Sequence, residues 1–314
     1  MSKENKVSVV IANYNGNKYL KKCLESLVLH KWNYEVVVID DGSSPRLIFA
    51  EAKLGRVKMI RLPRNMGAAM ARNIGVANST GEYILFLDVD SIVKGDAVRT
   101  LTKRLDSDKN IGAVQAKMDT CGHFLSWWGL PYEIAEPTNP IFAGRTAGLM
   151  IKRKVFEEIN GFDDDYIIYG EDTDLCWRTW LLGYRVELEE KAVIDHVGKS
   201  SQNKKTKIRV VGLGARNCIL NILKNADWAV IWWMLPLHFL AWIMIFVKLL
   251  IVGRAKEAGA VAWGWGWNVI NINKTIRKRE LVIRFKGNKT RQVMFGNMKL
   301  GQLLRKGLRW WREV

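Results

Sequence analysis

Two aspartates, Asp88 and Asp90, stand one residue apart at the end of an apolar run, Tyr-Ile-Leu-Phe-Leu, at residues 83–87. Such a run is typical of a buried strand in a parallel sheet. Ligands of open α/β sheets bind beyond the carboxyl ends of the strands. Two anions at that position favour a hard divalent cation, Mg2+ or Mn2+. An acidic turn that caps the next helix would produce the same pattern.

The elements that must position these acids alternate between strand and helix. Residues 7–12, 35–39, 57–62 and 82–88 predict buried strands, and the segments 45–54 and 67–77 predict helices between them. The first helix carries Leu20, Leu24, Leu27 and Val28 at helical spacing. This alternation predicts an α/β fold with a mainly parallel central sheet.

Later residues are less regular. They predict strands at 111–118, 147–151, 184–188 and 193–196, a helix at 171–182, and an irregular loop at 127–140.

The positive charge of the chain lies mainly near its end. The net charge is +18, yet residues 228–314 hold 16 Lys and Arg against 3 Asp and Glu. Nine of the 14 Trp residues lie in the same stretch. Trp mixed with basic residues is typical of a membrane interface. A nucleic acid partner is disfavoured, because this charge adjoins a long apolar block instead of scattered stacking residues.

The apolar block suggests two regions, a catalytic domain at 1–205 and a helical membrane-associated region at 206–314. Residues 228–252 are long enough to cross a bilayer, although Pro236, His238 and Lys248 weaken that interpretation. Residues 258–272 form a shorter apolar stretch rich in Gly and Trp.

The placement of these segments has three interpretations. Because the catalytic half and the basic tail both belong on the cytoplasmic side, we expect a hairpin of two segments or a helix in the interface, not one span. Residues 299–311 would add an amphipathic surface element. A buried soluble helical subdomain is the alternative.

The four cysteines, at positions 23, 121, 176 and 218, are too scattered for a zinc site or a disulfide framework. The first residues run directly into a strand, so no signal peptide is expected. These features predict a protein at the cytoplasmic face of the cell membrane.

Seven short motifs follow one another in a specific order. They are Val7 to Asn15, Val37 to Ser43, Asn65 to Gly67 with Ala71 to Asn73, Gly81 to Asp90, Gly161 to Asp163, Glu171 to Arg178, and His196. In this order they resemble the family 2 inverting glycosyltransferases of GT-A fold, particularly the rhamnosyltransferase-like branch. The resemblance covers roughly residues 5–200.

The resemblance implies a nucleotide-binding site. Tyr14 and Asp41 would hold the base and Asp88 the ribose, roles that suit an aromatic stacking face and carboxylate acceptors. Gly67, at a helix start, would place backbone N–H groups near a diphosphate, or would simply start the helix. Arg72 would face the nucleotide or pair with a surface acid.

The resemblance also implies a metal and a base. Asp90 and His196 would be metal ligands, and an imidazole ligand suits Mn2+ better than Mg2+. Asp172 matches the position of the general base. The acids at 171, 172 and 174 would also favour a helix N-terminus, and that structural role is compatible with catalysis by Asp172. Glu171 would point elsewhere, and Asp174 and Arg178 would hold the loop or contact phosphate.

These features imply a metal-dependent transferase that uses a UDP, dTDP or GDP sugar and a membrane-linked glycan or polyprenyl-linked saccharide. Residues 176–180 lack the Gln-x-x-Arg-Trp pattern of processive synthases, which indicates one sugar per acceptor. Two alternatives stay open at this point. One is a haloacid-dehalogenase-like phosphatase, which also uses Asp-x-Asp after a strand. The other is a noncatalytic membrane glycan-binding adaptor with the same fold.

Overall fold

The protein is described here from a computed structural model that covers residues 6–28, 34–46, 57–198, 204–284 and 294–295. Most of the helix predicted at 45–54 and all of the amphipathic segment predicted at 299–311 lie outside the described residues. The chain forms two compact units. The first comprises residues 1–122, 134–180 and 184–199, and the second comprises residues 123–133, 181–183 and 200–314. The domain boundary at residue 205 stays a prediction.

The first unit is an α/β layer structure. Its strands are β1 Val7–Asn13, β2 Tyr34–Asp40, β3 Val57–Arg61, β4 Tyr83–Asp88, β5 Ser91–Val93, β6 Ile111–Lys117, β9 Gly148–Lys152 and β10 Arg185–His196. Its helices are α1 Asn17–Val28, α2 Ala68–Ala77, α3 Ala97–Ser107, α4 Arg153–Glu158 and α5 Glu171–Leu181. The strands β7 His123–Leu125 and β8 Pro131–Glu133 belong to the second unit.

These eight strands of the first unit form one sheet in the order β3-β2-β1-β4-β9-β6-β10-β5. The first four strands of that order are parallel, and β10 is parallel to β6. Strand β9 is antiparallel to both of its neighbours, β4 and β6. The predicted α/β fold with a parallel-dominated sheet is confirmed. The two strands predicted at 184–188 and 193–196 are one strand, β10, with a register shift between Glu189 and Val193.

Helices cover both faces of the parallel strands, which is why those strands are apolar on both sides. On one face, Val9 of β1 and Leu85 of β4 share a buried core with Leu24 of α1 and Leu101 of α3. On the other face, Ile39 of β2 packs in a second cluster that includes residues of α2. Full burial of one such side chain contributes about 1.5–3 kcal/mol. The parallel strands are therefore held in place by helices on both faces of the sheet.

The part of the second unit that the structure describes contains a short hairpin and four helices. The hairpin strands are β7 His123–Leu125 and β8 Pro131–Glu133, and the helices are α6 Lys204–Asn225, α7 Trp228–Ile251, α8 Ala255–Ile270 and α9 Ile272–Ile283. The hairpin occupies part of the stretch predicted as an irregular loop. Within the described residues, α7 is the one helix whose length and composition would allow it to cross a membrane.

Gly75 in α2 provides a test of the packing between helix and sheet. A Cβ at position 75 would lie 2.4 Å from Cγ1 of Val10, whereas a Cβ at Gly259 in α8 would meet nothing within 4 Å. We predict that Gly75→Ala lowers the free energy of unfolding by about 1–2 kcal/mol despite the higher helix propensity of Ala. Gly259→Ala should instead raise it by about 0.5–1 kcal/mol. Urea unfolding followed by circular dichroism measures both changes, and stabilisation by both variants would contradict this packing.

Candidate functional site

The carboxyl ends of three parallel strands meet at one edge of the sheet. Asn13 at the end of β1 is paired with Asp40 at the end of β2, and Ala12 is paired with Asp88 at the end of β4. The turn after β4 adds Asp90 to this edge. The register of the strands therefore gathers polar side chains that are far apart in the sequence.

Three possible metal ligands lie together at this edge. Strand β5 pairs antiparallel with β10, which places His196 opposite Ser91 and next to Asp90. The Nε2 atom of His196 lies 3.1 Å from Oδ1 of Asp90 and 3.6 Å from Oδ2 of Asp88. One ligand atom from each of the three residues lies within 4.8 Å of the other two. The predicted ligands Asp90 and His196 are adjacent, and Asp88, predicted to bind ribose, joins them.

The charges in this cluster are strongly coupled. Hydrogen bonds to Asp88 and Asp90 raise the pKa of His196 to about 10, against the opposing effect of burial. Burial opposes ionisation of Asp88, but the hydrogen bond from His196 and the positive charge of Arg72 lower its pKa to about 2. Two carboxylates thus hold a positive charge between them. A divalent cation can take that place, because it binds carboxylates and displaces the proton of an imidazole.

Arg72 connects this cluster to helix α5. Its guanidinium is buried and donates to Oδ1 of Asp88 at 2.8 Å and to Oε1 of Glu171 at 2.9 Å. It also lies over the ring of Phe162, 5.7 Å from the ring centroid. Of the two roles expected for Arg72, the structure shows the ion pair, but the acid is Asp88 of the site and not a surface residue. The second partner, Glu171, was not anticipated from the sequence.

Asp41 organises the loop before α2. Its carboxylate is buried and accepts hydrogen bonds from the backbone N–H groups of Met66 at 2.7 Å and Gly67 at 2.9 Å. Burial raises the pKa of Asp41, while these two hydrogen bonds act in the opposite direction. Gly67 adopts a φ of 94°, and a Cβ there would lie 2.8 Å from the carbonyl oxygen of Ile167. The N–H of Gly67 thus donates to Asp41. The expected contact of Gly67 with a diphosphate stays a prediction.

The loop after β1 presents Tyr14, whose side chain is exposed, with 52% of its surface accessible. The neighbouring Asn13 holds the turn, because its Oδ1 accepts from the N–H of Gly16 at 3.1 Å. The hydroxyl of Ser43 accepts from Asn15 N–H at 2.9 Å, which ties this loop to the loop after β2. The sequence marked both loops as turns but did not indicate that they are bonded to each other.

Asp172 lies half-buried in the first turn of α5, where its Oδ1 accepts from the N–H of Thr173 at 2.7 Å. Burial raises the pKa of this carboxyl, opposed by hydrogen bonds from Thr173 and by nearby positive charges that include Arg72. Glu171 is buried, and its Oε1 accepts from the guanidinium of Arg72. Asp174 and Arg178 form a buried ion pair at 2.6 Å, so Arg178 holds α5 instead of facing phosphate.

Removal of Arg72 tests whether this ion-pair bridge orders the site. We predict that Arg72→Met lowers the free energy of unfolding by about 3–5 kcal/mol, because Glu171 is left buried without a cation. Adding Glu171→Gln should recover part of that loss. The exposed pair Lys6–Asp106, with side chains 43% and 42% accessible, gives the control. Lys6→Met should cost less than about 1 kcal/mol in the same urea unfolding assay. Equal losses in Arg72→Met and Lys6→Met would contradict the bridge.

Two family models match this chain. Glycosyl transferase family 2 matches residues 8–163, which include β1 to β4 and the Asp88–Asp90 pair. The model described as N-terminal domain of galactosyltransferase matches residues 132–199, which include α5 and His196.

Curated relatives carry glycosyltransferase names. Glycosyltransferase GlyG of Streptococcus pneumoniae is 30% identical over 187 residues, which is 51% of this chain and 62% of GlyG. The uncharacterized glycosyltransferase YibD of Escherichia coli is 34% identical over 146 residues, which is 44% of this chain and 42% of YibD. The chain thus spans less than two thirds of the length of these relatives.

Solved structures share the fold. The mannosyltransferase PcManGT from Pyrobaculum calidifontis, in complex with GDP-Man and Mn2+, has a TM-score of 0.57 at 18% identity and covers 90% of this chain and 86% of its own. GalNAc-T7 with UDP, GalNAc and Mn2+ has a TM-score of 0.59 at 19% identity, over 71% of this chain and 48% of its own. The sequence matches and this shared architecture lead to one assignment: residues 8–163 match the glycosyl transferase family 2 domain, and the structure has the GT-A fold.

Proposed function

We propose that the protein is an inverting, metal-dependent glycosyltransferase that adds one sugar to each acceptor. Its donor is a nucleotide sugar of the UDP, dTDP or GDP type. Its acceptor is a membrane-linked glycan or polyprenyl-linked saccharide at the cytoplasmic face of the cell membrane. The observation that carries this proposal is the cluster of Asp88, Asp90 and His196 at the carboxyl edge of a family 2 domain.

The three side chains fit a divalent cation by their chemistry. Two carboxylates and one imidazole are ligands that Mn2+ accepts readily and that Mg2+ accepts less well because of the imidazole. Asp90 and His196 would hold the ion, with Asp88 beside them. When bound, the ion neutralises negative charge on the leaving nucleoside diphosphate. The neighbours of known structure named above were solved with Mn2+, which supports this assignment.

The same edge offers contacts for a nucleotide. Tyr14 has an exposed ring on which a base can stack. Asp41 supplies carboxylate oxygens for a base N–H, and each oxygen keeps a lone pair beyond its bond to the backbone. Asp88, half-buried and held by Arg72, can accept from ribose hydroxyls. In this scheme Arg72 orients Asp88 and Gly67 shapes the loop.

Asp172 is the general base in this proposal. It would take the proton of the acceptor hydroxyl as that oxygen attacks the anomeric carbon from the face opposite the diphosphate, which inverts the configuration. The raised pKa of the Asp172 carboxyl strengthens it as a proton acceptor compared with an exposed aspartate. Glu171 cannot replace it, because Glu171 is buried against Arg72.

Two features of the second unit support the proposed location at a membrane. Its long apolar helix α7 and the basic, Trp-rich composition of residues 228–314 support an acceptor that is presented by a membrane. The rhamnosyltransferase-like branch stays a prediction, and so does the identity of the sugar.

The metal ligands can be tested by nucleotide binding. UDP, GDP and dTDP are each added with Mn2+ or Mg2+ in a thermal-shift assay. We predict that one nucleotide raises the melting temperature only when metal is present, because binding at a hundredfold excess over Kd adds about 2.7 kcal/mol of stability. Asp90→Ala should remove this metal-dependent shift. The exposed Asp96, which forms no side-chain cap hydrogen bond, gives the control Asp96→Ala. An unchanged shift in Asp90→Ala would remove Asp90 from the site.

The base is tested by separating turnover from binding. Asp172→Asn keeps the size of the side chain but removes its basicity, so we predict a loss of transfer of about a hundredfold or more. The nucleotide-dependent thermal shift should stay close to that of the wild type. Asp96→Asn serves as the matched control and should retain full turnover. Normal turnover in Asp172→Asn would refute the assignment of the base.

A further inference from the structure

The exposed side of α7 is apolar along its whole length. Every exposed position on this helix carries an apolar residue, and Trp232 and Ile251 are 80% and 79% accessible. At 3.6 residues per turn these positions fall within one half of the helix, an arc of about 180°. The positions are Trp228, Ala229, Trp232, Trp233, Pro236, Leu237, Leu240, Ile243, Met244, Val247, Leu250 and Ile251. We call this half the apolar face of α7. A surface helix of a soluble protein usually carries polar residues on its exposed side.

The opposite half of α7 belongs to the core of the second unit. Trp242, Ile245 and Leu249 are buried with Ala258 and Val261 of α8. The one histidine of the helix, His238, is also buried on this side, and its Nδ1 lies 2.7 Å from the carbonyl oxygen of Trp128. Protein therefore covers this side of α7. A helix that crosses a bilayer alone would present apolar residues to lipid on all sides.

The helices that pack in this unit could not follow α7 through a membrane. Helix α9 exposes Lys274, Arg277 and Glu280, and α8 exposes Lys256 near its start. Each charged side chain at the centre of a bilayer costs about 2.5–3.5 kcal/mol. A crossing of α7 with its attached neighbours would bury several such charges. The apolar face is thus suited to one leaflet and not to a full span.

The charge of this unit favours an anionic surface. Among residues 208–284, the exposed acids are Asp227 and Glu280. The exposed bases are Arg209, Lys256, Lys274, Arg277 and Arg284. Each basic residue near an anionic membrane contributes about 1 kcal/mol. A second copy of this chain would bring the same positive charge and would be repelled. Tryptophans, three of which lie on the apolar face, are enriched where a membrane meets water.

We propose that α7 lies in the plane of an anionic membrane, with its apolar face inserted into one leaflet. The helix is about 36 Å long at 1.5 Å per residue, and its apolar face would lie about 5–10 Å below the headgroups. This inference specifies the membrane contact left general in the proposed function. It depends only on residues of the second unit, so it can succeed or fail independently of catalysis.

The depth of three positions along the apolar face distinguishes insertion from spanning. A spin label is attached to Cys in the full-length variants Trp232→Cys, Leu240→Cys and Ile251→Cys, bound to phosphatidylcholine vesicles that contain phosphatidylglycerol. Power saturation with oxygen and a water-soluble nickel chelate then gives the depth of each label. We predict three similar, shallow depths. A label at 240 near the bilayer centre, with shallow labels at 232 and 251, would overturn the proposal in favour of a span.

A charge placed on the apolar face tests the contact itself. In vesicle flotation, Leu240→Glu should weaken binding at least about 30-fold, because a carboxylate replaces an inserted apolar side chain. Asn273→Glu adds the same charge at an exposed position of α9 and should weaken binding less than about fivefold. Equal effects, or equal binding of the wild type to vesicles without phosphatidylglycerol, would overturn the proposal. So would a lipid-independent dimer. Within the apolar face, Trp233 already packs against Phe295, with 5.7 Å between the ring centroids. Coverage of Trp232, Leu240 and Ile251 by the chain after residue 295 would also overturn the proposal.

Vesicle binding is measured without any assay of enzyme activity. Circular dichroism and the nucleotide thermal shift of Leu240→Glu should match those of the wild type, which shows that the variant is folded. If the wild-type protein floats with anionic vesicles but binds no nucleotide, the proposed function fails and the membrane contact stands.

Discussion

One buried guanidinium determines the geometry of the candidate site. Arg72 donates at once to Asp88, at the end of β4, and to Glu171, in the first turn of α5. Two elements separated by more than eighty residues of sequence therefore depend on a single cation. A buried charge without a partner is costly, so each of the three groups requires the other two. The proposed metal ligands and the proposed base are positioned on either side of this ion-pair bridge.

The sheet topology supplies the rest of the site. Strand β10 runs parallel to β6 and then pairs antiparallel with β5, which carries His196 back to the turn that holds Asp90. Hydrogen bonds to the two aspartates raise the pKa of His196 to about 10, so this edge of the sheet favours a positive charge. The arrangement explains why a divalent ion and a proton would compete for the same place. Arg72 engages one oxygen of Asp88, and the other oxygen faces His196.

Much of this architecture could be predicted from local patterns. Apolar runs that end in Asp or Asn identified β1, β2 and β4, because a strand buried on both faces contains few other residue types. The order of short motifs identified the candidate ligands Asp90 and His196. The strand at 147–151 was also predicted, but not its antiparallel direction between β4 and β6, because pairing partners are not encoded in local periodicity. The partnership of Arg72 with Glu171, 99 positions apart, has no local signal either. The apolar face of α7 could not be predicted from the sequence, for a related reason. Its buried and exposed halves are both apolar, and only packing against α8 separates them.

We propose that the acidic cluster at the sheet edge catalyses metal-dependent transfer of a sugar. The most direct measurement is the release of nucleoside diphosphate from a set of UDP, dTDP and GDP sugars, in the presence of membranes that carry saccharide acceptors, with Mn2+ or with a chelator. We predict release from one donor class that requires both the metal and the acceptor, with the anomeric configuration of the transferred sugar inverted in the product. Equal release in the presence of the chelator, or retained configuration, would contradict it.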